Sequence, residues 1–183
     1  MFCLRKFNPI KIEKMKTLVA VLFITLLSVN SYAQNNSLEV NRPYEDFSLA
    51  YSTLDAEILT NTYTADAALL NLYDTRDPNS ILGAENIKQY FANFFQRLKD
   101  GNQSFTLTFK IINRTVKDGV VYDNGYYKLV RSGPNVPERS SHGKLSTILV
   151  QEEGRWKFKI DSDSNTEQKE YESAKAGSMP QPK

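Results

Sequence analysis

Cysteine and histidine are nearly absent from this chain. Its 183 residues include one of each, Cys3 and His142. One cysteine cannot close a disulfide within the chain, and the Cys/His spacing of a zinc site does not occur. Glycine-rich phosphate loops and a Ser/His/Asp order are missing as well. We therefore expect no bound metal and no cofactor, and we treat His142, in a Ser-Ser-His-Gly stretch, as a loop residue.

The sequence also lacks an apolar run of the roughly 20 residues that a membrane-spanning helix needs. The apolar-rich run over residues 18–29 is shorter, follows three lysines and precedes Ser31-Tyr32-Ala33. This pattern predicts a signal peptide over residues 1–33, cut after Ala33, with a membrane anchor as the alternative. Met15 is an alternative start, because Met-Lys is a typical opening of such signals. We expect an exported protein, periplasmic or extracellular, with no membrane contact after cleavage.

Basic charge is not in real excess. The chain has 23 Lys and Arg against 21 Asp and Glu, but residues 1–33 hold five of the basic side chains and one of the acidic. The remainder therefore has 18 basic and 20 acidic side chains, a net charge of −2. That balance argues against nucleic acid or an anionic membrane as a partner. We predict a lead-in at 34–42, one domain at 43–164 and a disordered tail at 165–183.

Hydrophobic periodicity is clear, with helices first and strands afterwards. Helical spacing predicts a helix after Pro43, a short helix that Asp55 caps and that reaches Tyr63, and a long helix after Gly83. A strand is predicted over residues 67–73, and four alternating strands follow residue 101. Helices on one side of a mostly antiparallel sheet make an α+β domain.

The stretch 143–163 predicts a closing hairpin with its turn at residues 152–154. In its second strand apolar and charged residues alternate. We expect the apolar set to face the helices: Trp156, Phe158 and Ile160. We expect the charged set to face solvent: Lys157, Lys159 and Asp161. Only a bulge would turn Asp161 inward. The first strand is apolar on both faces, so the outer face is covered by the chain itself or by a second subunit. We expect a homodimer through the outer sheet face.

Four stretches together resemble the nuclear-transport-factor-2-like superfamily, and its SnoaL-like branch in particular. They are 55–67 (DAEILTNTYTADA), 83–91 (GAENIKQYF), 121–129 (VYDNGYYKL) and 143–163. The resemblance implies a cystatin-like cone, in which a strongly curved, mostly antiparallel sheet packs three helices of the N-terminal half on its concave face. The superfamily contains isomerases, dehydratases, cyclases and non-catalytic dimers, so the fold alone gives no activity.

The resemblance allows one test of chemistry at the level of residues. Ketosteroid isomerases use an Asp base on the first strand and a Tyr oxyanion donor on the first helix. An ungapped alignment through 55–67 places these roles on Asn71 and Phe47. An amide cannot accept a proton near neutral pH, and a phenyl ring cannot donate a hydrogen bond. Dehydratases of the superfamily use paired histidines, whereas this chain has only His142. Neither mechanism is expected.

Asp123 is the candidate catalytic carboxylate. By alternation it shares a strand face with Tyr127 and apolar neighbours, so desolvation would raise its pKa and suit it to act as base or polar anchor. The alternative is an Asp that binds a helix terminus or lies at the rim. The candidate ligand-binding set consists of inward-facing aromatic residues and this carboxylate: Tyr51, Tyr63, Tyr90, Phe94, Asp123 and Tyr127, with Tyr73 in the same pattern.

Three functions remain open at this point. Several tyrosines on one cavity wall suit a small, largely apolar molecule, which favours a binding domain without chemistry. A cofactor-free isomerase, cyclase or dehydratase-type enzyme would use Asp123 as its base. A non-catalytic dimeric structural domain would fill the cavity with its own side chains, since aromatic stripes at helical spacing are usually core.

Overall fold

The computed structural model describes residues 39–72, 79–134 and 136–177. The predicted signal peptide and Tyr73 lie outside these residues. Within them the elements follow in this order: α1 (Arg42–Thr53), a 3-10 helix (Ala56–Asn61), β1 (Tyr63–Asn71), β2 (Asn79–Leu82), α2 (Ala84–Asp100), β3 (Ser104–Lys117), β4 (Val120–Gly133), β5 (Val136–Glu152), β6 (Arg155–Thr166) and α3 (Gln168–Ser173). None of the helices in the described ranges is long and apolar enough to cross a membrane.

The six strands form one curved, open sheet in the order β2-β1-β6-β5-β4-β3. Neighbouring strands are antiparallel except for β1 and β6, which run parallel. The helices that precede β3 pack on the concave face, as predicted. The α+β class and the cystatin-like cone are therefore confirmed.

Two tight turns set the register of the four long strands, β3 with β4 and β5 with β6. Asp118-Gly119 joins β3 to β4 and Glu153-Gly154 joins β5 to β6, and in both turns the two residues have positive φ, 52° and 74° in the first and 54° and 75° in the second. Two consecutive positive φ values define a type I′ turn, whose twist matches that of the strands it joins. Glycine at the second position adopts this conformation without a Cβ clash.

The second predicted helix is shorter than its periodicity indicates. Asp55 does cap it, since its carboxylate accepts a hydrogen bond from the Glu57 backbone N–H at 2.9 Å. The turn is a 3-10 helix that ends at Asn61, and Tyr63 already belongs to β1. Pairing of Tyr63 with Phe158 on β6 begins the strand there, four residues earlier than predicted. The parallel pairing with β6 therefore overrides the helical spacing of the sequence at Tyr63.

The core between the helices and the concave face is mainly aromatic. Phe47 of α1 makes edge contacts with Phe91 of α2, Phe109 of β3 and Phe158 of β6, with ring centroids 5.2–6.3 Å apart. Such edge-to-face pairs add to the free energy gained by burying the rings. Because Phe47 contacts both helix and sheet neighbours, α1 is held in a fixed position over the sheet.

The predicted disordered tail is wrong for its first half. β6 continues to Thr166 and α3 follows it over the outer face of the sheet. Glu170 of α3 binds Lys144 at 2.7 Å and accepts a hydrogen bond from Thr166 at 2.6 Å. The Nζ of Lys110 lies 3.9 Å from the ring centroid of Tyr171, which also contacts the ring of His142 at 4.8 Å.

The chain itself therefore covers one part of the outer face. Beside this part, Tyr122, Ile148 and Ile160 pair across three strands and form a partly exposed apolar row. The homodimer predicted through this face stays a prediction, and the uncovered row is the place on the face that it would use.

Candidate functional site

A cavity of about 300 Å³ lies between the helices and the concave face of the sheet. Its open end is marked by two exposed lining residues, Ser141 and Asn165, and its closed end by buried ones, Tyr44 and Thr147. The wall is dominated by nine aromatic side chains: Tyr44, Phe47, Tyr51, Tyr90, Phe91, Phe94, Phe109, Tyr127 and Phe158. The volume lies at the lower end of the range for pockets that hold small organic molecules, about 300–1,000 Å³.

Strand β6 supplies the charged part of the wall, Asp161 and Asp163. The prediction that Asp161 faces solvent is wrong, and the cause is a β-bulge. Phe158 pairs with Leu149 and Ile160 with Ile148, so Lys159 is an extra residue in β6. An extra residue inverts the alternation beyond it. Ile160 therefore lies on the outer face, and Asp161 and Asp163 face the cavity on the same side as Phe158.

The bulge is fixed on both sides by charged contacts. The Nζ of Lys159 forms an ion pair with the carboxylate of Asp66 on β1. Just before it, Lys157 is buried, and its Nζ contacts Glu152 at 2.6 Å and Glu153 at 3.4 Å. Lys157 was predicted to face solvent, but its carboxylate partners allow its amine to be buried.

Each cavity carboxyl accepts a hydrogen bond from a tyrosine on a neighbouring strand or one strand further. The Oη of Tyr63 donates to Asp161 Oδ2 at 2.7 Å, and the Oη of Tyr127 donates to Asp163 Oδ2 at 3.2 Å. In the β1–β6 register Asp163 lies beside Asn71, which also lines the cavity. The carboxyl pair thus lies one strand away from the position where the resemblance places a catalytic base.

Burial raises the pKa of both carboxyls. The pKa of Asp161 rises to about 6 because of burial, although the Tyr63 hydroxyl acts in the opposite direction. The pKa of Asp163 rises to about 7 because of burial and the nearby charge of Asp161. Burial also raises the pKa of Tyr51, Tyr63 and Tyr127 well above the ordinary value for tyrosine, so their hydroxyls stay protonated. Near neutral pH the site holds one to two negative charges.

Asp123 does not line the cavity. It is buried, and Arg114 binds it with two hydrogen bonds, Nε to Oδ1 at 2.8 Å and Nη2 to Oδ2 at 2.6 Å. The Oη of Tyr44 donates to Asp123 Oδ2 at 2.9 Å and contacts Thr147 Oγ1 at 2.6 Å. The alternation that put Asp123 on the concave face holds, but Arg114 binds both of its carboxylate oxygens, and Tyr44, which also binds it, lines the closed end of the cavity in its place. This arrangement makes Asp123 a structural residue.

The other predicted ligand-binding residues fall into two groups. Tyr51, Tyr90, Phe94 and Tyr127 line the cavity, whereas Tyr63 lies behind Asp161 and reaches the site only through its hydroxyl. Phe47 and Asn71, the positions on which the resemblance would place the isomerase donor and base, line it too. His142 is part of β5 rather than a loop, and its ring lies on the outer face against α3.

Asp163 is the functional candidate that sequence reasoning missed. The signal was the spacing of Asp161 and Asp163, two carboxylates that share a strand face in any register. Their direction could not be read without the bulge at Lys159. No group of three or more His, Cys, Asp or Glu side chains suited to a metal occurs in the ranges that the structure covers.

Neither protein-family models nor curated proteins match this chain. Solved structures do. A ketosteroid isomerase-like protein from Erwinia carotovora atroseptica SCRI1043 is 11% identical with a TM-score of 0.54, and the match covers 70% of this chain and 94% of that one. A protein from Catenulispora acidiphila, solved in complex with S-DNPA, is 17% identical with a TM-score of 0.60, over 72% and 94%.

A third solved structure is an uncharacterised protein with a cystatin-like fold from Caulobacter vibrioides. It is 17% identical with a TM-score of 0.56, over 73% of this chain and 91% of that chain. At these identities the matches identify the fold and leave the activity to the site.

Proposed function

We propose that this domain, which has the nuclear-transport-factor-2-like fold, binds a small organic molecule in the cavity between its helices and its curved sheet. The observation that supports this proposal is a cavity of about 300 Å³ with a mostly aromatic wall and two carboxyls, Asp161 and Asp163, on one side. Aromatic walls bind an apolar body, and a few polar groups orient it. A domain that served only as structure would have no need to keep two half-buried carboxyls facing a cavity, because their partial desolvation lowers its stability.

The test blocks the open end of the cavity. Ser141 is an exposed lining residue of β5, and its neighbour Ser140, also exposed, lies on the opposite face of the same strand. A Ser141→Trp protein should lose binding of the neutral fluorophore 1-aminonaphthalene, measured by its polarity-sensitive emission, and Ser140→Trp should keep it. Equal binding by both variants, or no binding by the unchanged protein, would overturn the proposal.

A second candidate function is a cofactor-free proton-transfer enzyme, with Asp163 rather than Asp123 as base. The observation that favours it is a carboxyl whose pKa, about 7, lies near the working pH, beside the protonated hydroxyl of Tyr127. A base of this pKa is well matched to neutral solution. The carboxylate would remove a C–H proton from a bound substrate.

A base-sensitive probe tests this second function. 5-Nitrobenzisoxazole loses its ring C–H proton to a base while its N–O bond breaks, and it releases a coloured phenolate. An enzyme of this kind should accelerate the reaction with a rate that rises between about pH 6 and pH 8, and Asp163→Asn should abolish the acceleration. An Asp100→Asn control, at an exposed carboxylate at the end of α2, should not. A pH-independent rate, or one that Asp163→Asn leaves intact, rules the enzyme out.

Export and dimer formation are proposals that rest on the sequence pattern. N-terminal sequencing of the protein recovered from the producing cells tests cleavage after Ala33. Native mass spectrometry tests the dimer, and an Ile148→Lys substitution in the uncovered apolar row should convert it to a monomer. A dimer that survives this substitution would have to use another surface.

A further inference from the structure

We infer that the molecule held in the cavity is an organic cation, an apolar body with a protonated amine or quaternary ammonium group, whose positive charge lies against Asp161 and Asp163. This inference rests on the proposed binding function and names the chemical class of the ligand. It departs from the expectation of a largely apolar, uncharged molecule.

The first argument is the charge balance of the cavity wall. Asp161 and Asp163 line the cavity, but no Lys, Arg or His does so among the described residues. Elsewhere the buried carboxylate of Asp123 is paired with Arg114. The two cavity carboxyls take part in no ion pair within the described part of the chain, so a cation that balances them would come from a ligand.

The second argument is the direction of the hydrogen bonds. Tyr63 and Tyr127 use their hydroxyl protons on Asp161 and Asp163, so these protons are not available to an anionic ligand. An ionised carboxylate has about four acceptor positions, and each of these two receives one tyrosine hydrogen bond. The remaining positions accept donors, and a charged N–H is the strongest donor that a ligand can offer them.

The third argument is the wall opposite the carboxyls. Aromatic rings carry negative charge on their faces, and cations bind there with added free energy when water is excluded. Tyr51, Phe91 and Phe94, from the two long helices, bring such rings to the same cavity. A cavity that combines a carboxylate pair with aromatic rings suits an alkylammonium group.

Anions and hydrocarbons fit this wall less well. An anion would meet two carboxyls and no Lys, Arg or His among the described lining residues, so its charge would be repelled. A hydrocarbon would displace water from the carboxyls without replacing its hydrogen bonds, and that also costs free energy. Among small organic molecules, the cavity therefore discriminates by the sign of charge.

Three probes that share a naphthalene ring and differ in charge distinguish cationic, neutral and anionic ligands. They are 1-(aminomethyl)naphthalene, which is cationic near neutral pH, 1-naphthalenemethanol, which is neutral, and 1-naphthoate, which is anionic. Measured by isothermal titration calorimetry at pH 7.5, the amine should bind about tenfold or more tightly than the alcohol, and naphthoate should not bind. In the Asp161→Asn/Asp163→Asn protein the amine should lose its advantage over the alcohol. Asp100→Asn, at an exposed carboxylate at the end of α2, is the matched control and should keep it.

The pH dependence gives a second readout. The groups that face the two carboxyls from packed elements are tyrosines, Tyr51 of α1, Tyr90 of α2, Tyr63 of β1 and Tyr127 of β4, so the carboxyls alone change charge in the working range. Amine affinity should rise between about pH 5 and pH 8, and alcohol affinity should not. If the alcohol binds as tightly as the amine, this inference fails and the binding function stands. If none of the probes binds, both fail.

Discussion

The ring of Tyr127 lies against the backbone of Gly143 on the neighbouring strand, and there is no room between them for a Cβ at position 143. The two residues are direct cross-strand partners on the concave face. Glycine lets the ring lie flat on the sheet, and in that position the Tyr127 hydroxyl reaches Asp163. The position of the Tyr127 hydroxyl, which binds one of the two cavity carboxyls, thus depends on the absence of a side chain at residue 143.

Gly143→Ala should displace the Tyr127 ring and break its hydrogen bond to Asp163. We expect a loss of stability of about 1–3 kcal/mol, typical of overpacking, and weaker binding in the cavity. In a Tyr127→Ala background the same substitution should cost much less, because the ring that it strikes is gone. Urea denaturation of the four proteins measures this coupling. Additive costs would contradict the contact.

Arg114→Met should be strongly destabilising, because it leaves the Asp123 carboxylate buried without its cation. Removing one partner of such a pair costs about 3–5 kcal/mol. Replacing both, as Arg114→Met/Asp123→Leu, should recover much of that loss. A matched surface control is Arg42→Met, which removes the partner of Asp46 and should cost at most about 1 kcal/mol. The free energies of unfolding come from urea denaturation. Equal costs at Arg114 and Arg42 would refute the structural role.

Stability should fall as pH rises from about 4 to 7. The folded pKa values of Asp161 and Asp163, about 6 and about 7, lie above the value near 4 of an unfolded chain. In this range the native state holds more protons than the unfolded state, so raising the pH favours unfolding. The Asp161→Asn/Asp163→Asn protein should lose this dependence and gain on the order of 2 kcal/mol at pH 8. Thermal melts across the range test it, and parallel curves for both proteins would exclude it.

Tyr171→Ala should release α3 from the outer face without affecting the cavity. The ring contacts Lys110 and His142, both on the face opposite the ligand. We expect faster amide hydrogen exchange over residues 168–177 and unchanged binding of 1-aminonaphthalene. Gln168→Ala, at an exposed position of the same helix, should change neither. Weaker binding by the Tyr171 variant would mean that the two faces are coupled.

The fold was predictable because its determinants are local and repeated. Helical spacing located α1 and α2, and Asp-Gly and Glu-Gly turns located the hairpins. The exceptions are places where a distant contact decided the structure. Tyr63 joined a strand because it pairs with β6, and residues 168–173 formed a helix because charged and aromatic partners on the sheet hold it.

The candidate site was only half predictable. The aromatic wall followed from periodicity, since Tyr51, Tyr90 and Tyr127 all face inward. The charged wall did not, because alternation assigns Asp161 outward and the extra residue at Lys159 reverses it. The sequence placed Asp123 on the correct face but did not predict that Arg114 binds it. That contact depends on a second register shift, between β3 and β4.

The parallel pairing of β1 with β6 has a consequence for synthesis of the protein. Among the described residues β1 is the first strand, and its neighbour in the sheet, which holds both cavity carboxyls, is the last. During translation β1 leaves the ribosome long before its partner exists. Non-local pairing of this kind is slow and leaves strand edges exposed in the meantime. A nascent chain that stops short of Asp161 has an aromatic half-site and no acidic wall, so ligand binding reports completion of the fold.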